Sequence, residues 1–232
     1  MTTSFALLIL SAAACAWLVL RGIKDHGQAM VARHGLLDEA GILLTEAERT
    51  IGPDQYPVVS GRVADGRQVK IELVADSMIT RRLPQLWLRL TLYDAAPDRP
   101  RIGALARPTG GEYYSLVHDM PQWMEPSKTG TSMLVRGDGT ATPWQAERVL
   151  RHFANLFADP VVKEAVISAN GVRIMQQAAQ GERAAHLFLR QSRFAITAVP
   201  AEDIRKAIAM ADALAAVLSM PEPAQVRATE AA

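Results

Sequence analysis

Residues Met1 to Leu20 carry no charged side chain, and from Phe5 to Leu20 only Ser11 interrupts an apolar run. A helix of about 20 residues spans roughly 30 Å, the thickness of a bilayer's hydrocarbon core. The run therefore reads as a transmembrane helix, with residues 1–20 in contact with membrane lipid. A cleaved secretory signal is the competing reading. Such a signal calls for a basic leading segment, and Met1–Ser4 has none. Ala14-Cys15-Ala16 fits a small-residue cleavage pattern, but Trp17-Leu18-Val19-Leu20 follows it and would leave four large apolar residues on the new end. A lipidated Cys15 meets the same objection, so a retained anchor over residues 1–24 is the expectation.

Flanking bases set its direction, because Lys and Arg stay on the cytoplasmic side. Arg21, Lys24 and Arg33 follow the run and none precedes it. The expectation is a single-pass protein of the inner (plasma) membrane, N-terminus outside, its domain in the cytoplasm. The single cysteine lies inside the run, so no disulfide can report the compartment.

Past the anchor, residues 25–55 read as a connector. Gly35–Thr50 is either a short helix or a turn and a first strand. Residues 56–220 form one α+β domain, and 221–232, rich in Pro and Ala, a disordered tail. In this domain the apolar period becomes two. VVSGRVADGRQVKIELVA holds two runs around Ala64-Asp65-Gly66, and Asp-Gly between alternating runs marks a β-hairpin. In QLWLRLTLY, Leu86, Leu88, Leu90 and Leu92 share one face while Trp87, Arg89, Thr91 and Tyr93 share the other, as in an antiparallel sheet. IGALARP, EYYSLVH, TSMLVRG, GVRIMQQ and HLFLRQSRFAI are further expected strands, and residues 119–130 an irregular link.

About three helices are expected. Thr142-Pro143-Trp144-Gln145 carries a capping-box pattern before Val149, Leu150, Phe153, Leu156 and Phe157. Asp159-Pro160 opens a second helix that ends near Asn170-Gly171. Pro200-Ala201-Glu202 opens a third with Ile204, Ile208, Ala211, Ala215 and Leu218 on one stripe. Strands followed by mixed helices and hairpins give α+β rather than a βαβ alternation.

No nucleotide-binding, nucleophile-elbow, zinc-protease or paired-cysteine motif is present, and no cofactor or metal site is expected. His118-Asp119 is the one catalytic candidate, a histidine that a carboxylate could orient as a base; a surface pair at a loop is the plainer reading. His152, on a polar helix face, reads as solvated, and His186 as a structural residue on a strand. Arg136-Gly137-Asp138 reads as a turn. A net charge of +1 gives no electrostatic support for nucleic acid. Between Ser60 and Thr109, however, nine bases face five acids, and Arg81-Arg82 is the candidate contact with anionic headgroups, each base near the surface contributing about 1 kcal/mol. Trp87 and Tyr93 either mark a partner surface or lie beneath a helix.

The succession GRVADGRQVKIEL, RRLPQLWLRLTL, MLVRGDG, a helix, then NGVRIM resembles a layout seen in uncharacterised membrane-associated domains of bacteria. The resemblance implies a bacterial, membrane-associated domain and no site residues. The leading functional expectation is a membrane-anchored, non-catalytic module that engages a protein partner or the membrane surface. The alternatives are a membrane-bound, hydrolase-like enzyme using His118 and Asp119, or a periplasmic domain that binds an envelope component.

Overall fold

Gly66 takes φ +88°, which a glycine adopts without cost, and it closes the turn with its N–H on the Val63 carbonyl at 2.9 Å. The turn joins β2 (Pro57–Arg62) to β3 (Gln68–Asp76). A computed structural model of the chain describes residues 2–77, 82–127, 130–183, 186 and 192–219, with side chains from Leu10 onward. The expected strand HLFLRQSRFAI falls largely outside these; of its described part, Phe194 forms one antiparallel bridge with Gly181. The segment 221–232 also lies outside them.

One nine-stranded sheet organises the domain, with every neighbouring pair antiparallel. Besides β2 and β3 it contains β1 (Thr45–Ile51), β4 (Gln85–Tyr93), β5 (Ile102–Ala106), β6 (Gln122–Met124), β7 (Met133–Gly137), β8 (Val162–Ser168) and β9 (Gly171–Gln180). Their spatial order is β1-β2-β3-β4-β9-β8-β5-β7-β6. The first four strands form a meander, which β4 joins to the later strands through β9.

The first face of the sheet carries the main core. Leu86, Leu88, Leu90 and Leu92 of β4 are fully buried, as the alternation requires. Each such leucine contributes about 1.5–3 kcal/mol relative to exposure. Helix α4 (Ala201–Ala216) lies over β4 and β9 and α3 (Pro143–Leu156) beside it over β5, numbered after α1 (Thr2–His34) and the single turn α2 (Ala40–Leu43). Thr142 and Gln145 make the expected capping box at the start of α3, and Phe153 and Phe157 sit edge-to-face at 5.9 Å beneath it. Ile204, Ala207, Ala211 and Leu214 form the buried stripe of α4. Arg67 of the β2–β3 turn pairs with both Asp65 and Asp212, tying the hairpin to α4.

Four expectations are corrected. Asp159–Asn170 is not a helix but the lead into β8 and a tight turn into β9. VKEAVI buries both faces and so lacks the alternation that marks a half-exposed strand. EYYSLVH is not a strand but part of the loop 107–121, which crosses the second face of the sheet. The link expected to be irregular contains the edge strand β6. In the connector both readings of Gly35–Thr50 occur in part: a 3-10 turn over Gly35–Leu37, α2, then β1. His186 is not on a strand, since its N–H donates to the Glu182 carbonyl four residues back.

Helix α1 continues unbroken through Leu20 to His34, and every described residue from Leu10 to Ala29 is exposed. Among the described residues only its end joins the domain, where Leu36 and Leu37 enter the core and Arg33 lies 4.9 Å from the Tyr56 ring centre. Among the residues whose side chains are described, from Leu10 onward, no helix is long and apolar enough to cross a membrane.

Candidate functional site

The second face of the sheet is where charge collects. Odd-numbered residues of β4 point there, and register places Arg89 opposite Glu72 and Met175, and Thr91 opposite Lys70 and Arg173. Glu72 accepts from Arg89 Nε at 2.9 Å and pairs with Lys70 at 2.8 Å. Burial opposes its ionisation, but the two cations outweigh this and hold its carboxyl below the usual range. Arg173 donates Nε and Nη2 to Glu164 Oε1 at 3.0 and 2.6 Å, and Nη2 also reaches the Tyr114 carbonyl at 2.7 Å.

Over this face runs the loop 107–121, held by buried polar contacts. Glu112 accepts from the Thr109 amide and hydroxyl at 2.8 Å each and from the Gly110 amide at 2.9 Å. Lys163, at a bulge in β8, donates Nζ to Glu112 Oε1 and to the carbonyls of Ala106 and Arg107. Burial raises the Glu112 carboxyl, yet the bonds from Lys163 and Thr109 prevail and set it at about 2. Burial pulls Lys163 below its usual value against the pull of Glu112; with three acceptors around Nζ, the ammonium is the form that satisfies the geometry.

Tyr114 of the loop packs on Trp87, Val74 and Met175, its ring 6.3 Å from the indole, and its hydroxyl donates to Asp76 at 3.3 Å. Burial, with the Asp76 charge beside it, keeps this phenol protonated. Trp87 is thus covered by a loop rather than by a helix, while Tyr93 stays exposed. Farther along, Val117 and Met120 press on Gly103 of β5, where a Cβ would lie 2.9 Å from each of them.

The sequence candidates fare unequally. His118 does not pair with Asp119, which is exposed; the carboxylate beside it is Glu112, 3.6 Å from Nε2. That separation exceeds a hydrogen bond, and Nε2 is enclosed without a partner among the described residues. A base needs access to its substrate, which this nitrogen lacks here. Arg81 lies outside the described residues. Arg82 is engaged, donating Nη2 to Asp76 at 2.9 Å. His152 is half-buried rather than solvated, and burial lowers its proton affinity. In Arg136-Gly137-Asp138, Arg136 lies 4.3 Å from the Trp123 ring centre and donates to the His118 carbonyl, while Asp138 caps the Arg101 and Thr140 amides. These are the contacts of a strand end and its turn.

Where the loop stops, the second face opens into a groove of about 310 Å³. Its polar walls are Thr91, Tyr93, Arg101, Ser168, Asn170 and Arg173, and Leu116 and Val166 supply apolar surface. The strand order brings these together from β4, β9, β8 and β5. Sequence reading missed the groove, because it could place neither β8 nor the order of the strands.

No family model, curated protein or solved structure matches the chain. The roles of its residues therefore rest on the geometry above.

Proposed function

We propose that the chain is a membrane-tethered, non-catalytic binding module, with α1 as a single-pass anchor and the sheet domain on the cytoplasmic side. The observation that carries this reading is the exposure of α1. Leu10, Trp17, Leu18, Val19 and Leu20 are each 60–68% exposed, and no described part of the domain packs over them. Apolar surface of this density on a projecting helix calls for an apolar environment. The helical backbone begins at Thr2, and Phe5–Ile9 extend the apolar run in sequence, so Thr2–Leu20 reaches about 28 Å. Arg21 and Lys24 follow directly, as bases on a cytoplasmic flank do. The binding role is supported by a second face whose polar groups are mostly satisfied within the fold, beside a groove where the Arg101, Tyr93 and Asn170 side chains have no partner among the described residues.

Fractionation of the full chain tests the tether: it is expected in the membrane pellet after an alkaline carbonate wash and in the supernatant once Leu8, Leu10, Leu18 and Leu20 are all replaced by Lys. Release of the unaltered chain by carbonate overturns the anchor. A reporter fused after Ala232 that is active in the periplasm overturns the orientation and leaves the anchor standing.

A further inference from the structure

We propose that the groove at the open end of the second face binds a small ligand built from one oxyanion, carboxylate or phosphate, and a compact apolar body. The proposal does not depend on the tether.

Arg101 directs the choice of charge. Asp138 Oδ2 accepts from the backbone N–H of Arg101, at 2.9 Å, and not from its guanidinium. Among the described residues the Arg101 guanidinium makes no hydrogen bond or ion pair. Its neighbours do: Arg99 is closed on Asp94 at 2.7 Å and Arg173 on Glu164. Arg101 is thus the groove's uncommitted cation, half-buried and facing the same space as the Tyr93 hydroxyl and the Asn170 amide, which also lack side-chain partners among the described residues. A planar guanidinium with free N–H groups takes a carboxylate or phosphate through paired, charge-assisted bonds.

The shape of the groove sets the rest of the ligand. Tyr93 on β4 and Arg101 beside β5 stand three strands apart, roughly 14 Å across the backbone. Between them the Gly171 backbone lies so close to β4 that a Cβ would meet the Leu92 carbonyl, and Ser168 keeps its hydroxyl on the Gly171 carbonyl. Leu116 and Val166 offer apolar surface at the loop end. A ring or short aliphatic chain fills the space between the Tyr93 wall and these two residues while its oxyanion meets Arg101. One oxyanion suffices, because one cation is free.

The test is calorimetric titration of the full chain in non-denaturing detergent with benzoate, with phenyl phosphate and with neutral benzamide. Saturable binding of at least one anion, with none of benzamide, is expected, and whichever anion binds tighter identifies the ligand class. Arg101→Gln is expected to weaken that binding at least about tenfold. Arg151→Gln, which removes an exposed cation on α3 paired with Glu147, is expected to leave it unchanged. Both variants are checked for the wild-type melting temperature, so that loss of binding is not loss of fold. Failure of both anions to bind, equal binding of benzamide, or wild-type affinity in Arg101→Gln each overturns the proposal.

Discussion

Lys163 and Glu112 meet at 2.9 Å with side chains 2% and 0% exposed. One sits at a bulge in β8 and the other in the loop that crosses the second face. Between them they satisfy two carbonyls, two amides and a hydroxyl, so the pair closes that layer much as hydrophobic packing closes the other.

Removing one member leaves a buried charge uncompensated, which costs about 3–5 kcal/mol. Lys163→Met is expected to destabilise the domain by that order in urea denaturation. Glu112→Gln with Lys163→Met together is expected to cost clearly less than the sum of the two single changes. Additive losses in that double-mutant cycle would show that the two side chains are not coupled.

The same contact fixes a pH dependence. The folded carboxyl of Glu112 sits at about 2 against an ordinary value of 4.5. Its stabilising contribution is therefore complete above about pH 4.5 and is lost as the pH falls towards 2. The loss from this group is on the order of 3 kcal/mol. Denaturation midpoints measured between pH 6 and pH 2.5 are expected to fall, and Glu112→Gln to flatten that part of the profile.

Gly103 lies under the loop, and a methyl group there would meet Val117 Cγ2 and Met120 Cε at 2.9 Å. Met120 can swing its terminal methyl aside; the branched Val117 cannot. Gly103→Ala is expected to cost about 1–3 kcal/mol by overpacking. Val117→Ala in the same chain is expected to recover part of that loss, as read from thermal unfolding.

Helix α3 starts with its amides satisfied by Thr142 and Gln145. Thr142→Ala is expected to lower stability by about 1 kcal/mol. Thr142→Ser, which keeps the hydroxyl, is expected to retain most of it.

Elements whose cause is local could be read directly from the sequence. Asp65-Gly66 makes its own turn, β4 shows its two faces by alternation, and α3 carries its cap within four residues. What failed was longer in range. β8 lies between Asp159-Pro160 and Asn170-Gly171, which read as the two ends of a helix, and the Glu112 that accounts for its buried Lys163 is 51 residues earlier in the chain. EYYSLVH alternates like a strand, yet Tyr114 and Val117 face the sheet as the lining of a loop. His118 drew notice through adjacent Asp119, while the carboxylate near it in space is Glu112. Arg101 was one arginine among nine bases until the strand order set it across the groove from Tyr93.

That strand order also bears on synthesis. The partner edge of β4 is β9, and 78 residues separate Tyr93 from Gly171 (171 − 93). At 5–20 residues per second, the meander β1–β4 leaves the ribosome roughly 4–16 s before the strand that completes it. For that interval β4 is an unpaired edge bearing four leucines on one face, open to pairing with another nascent chain. The β4 edge is therefore where a chaperone would have the most to protect. A ribosome stalled between residues 93 and 171 would hold the chain in its most aggregation-prone form.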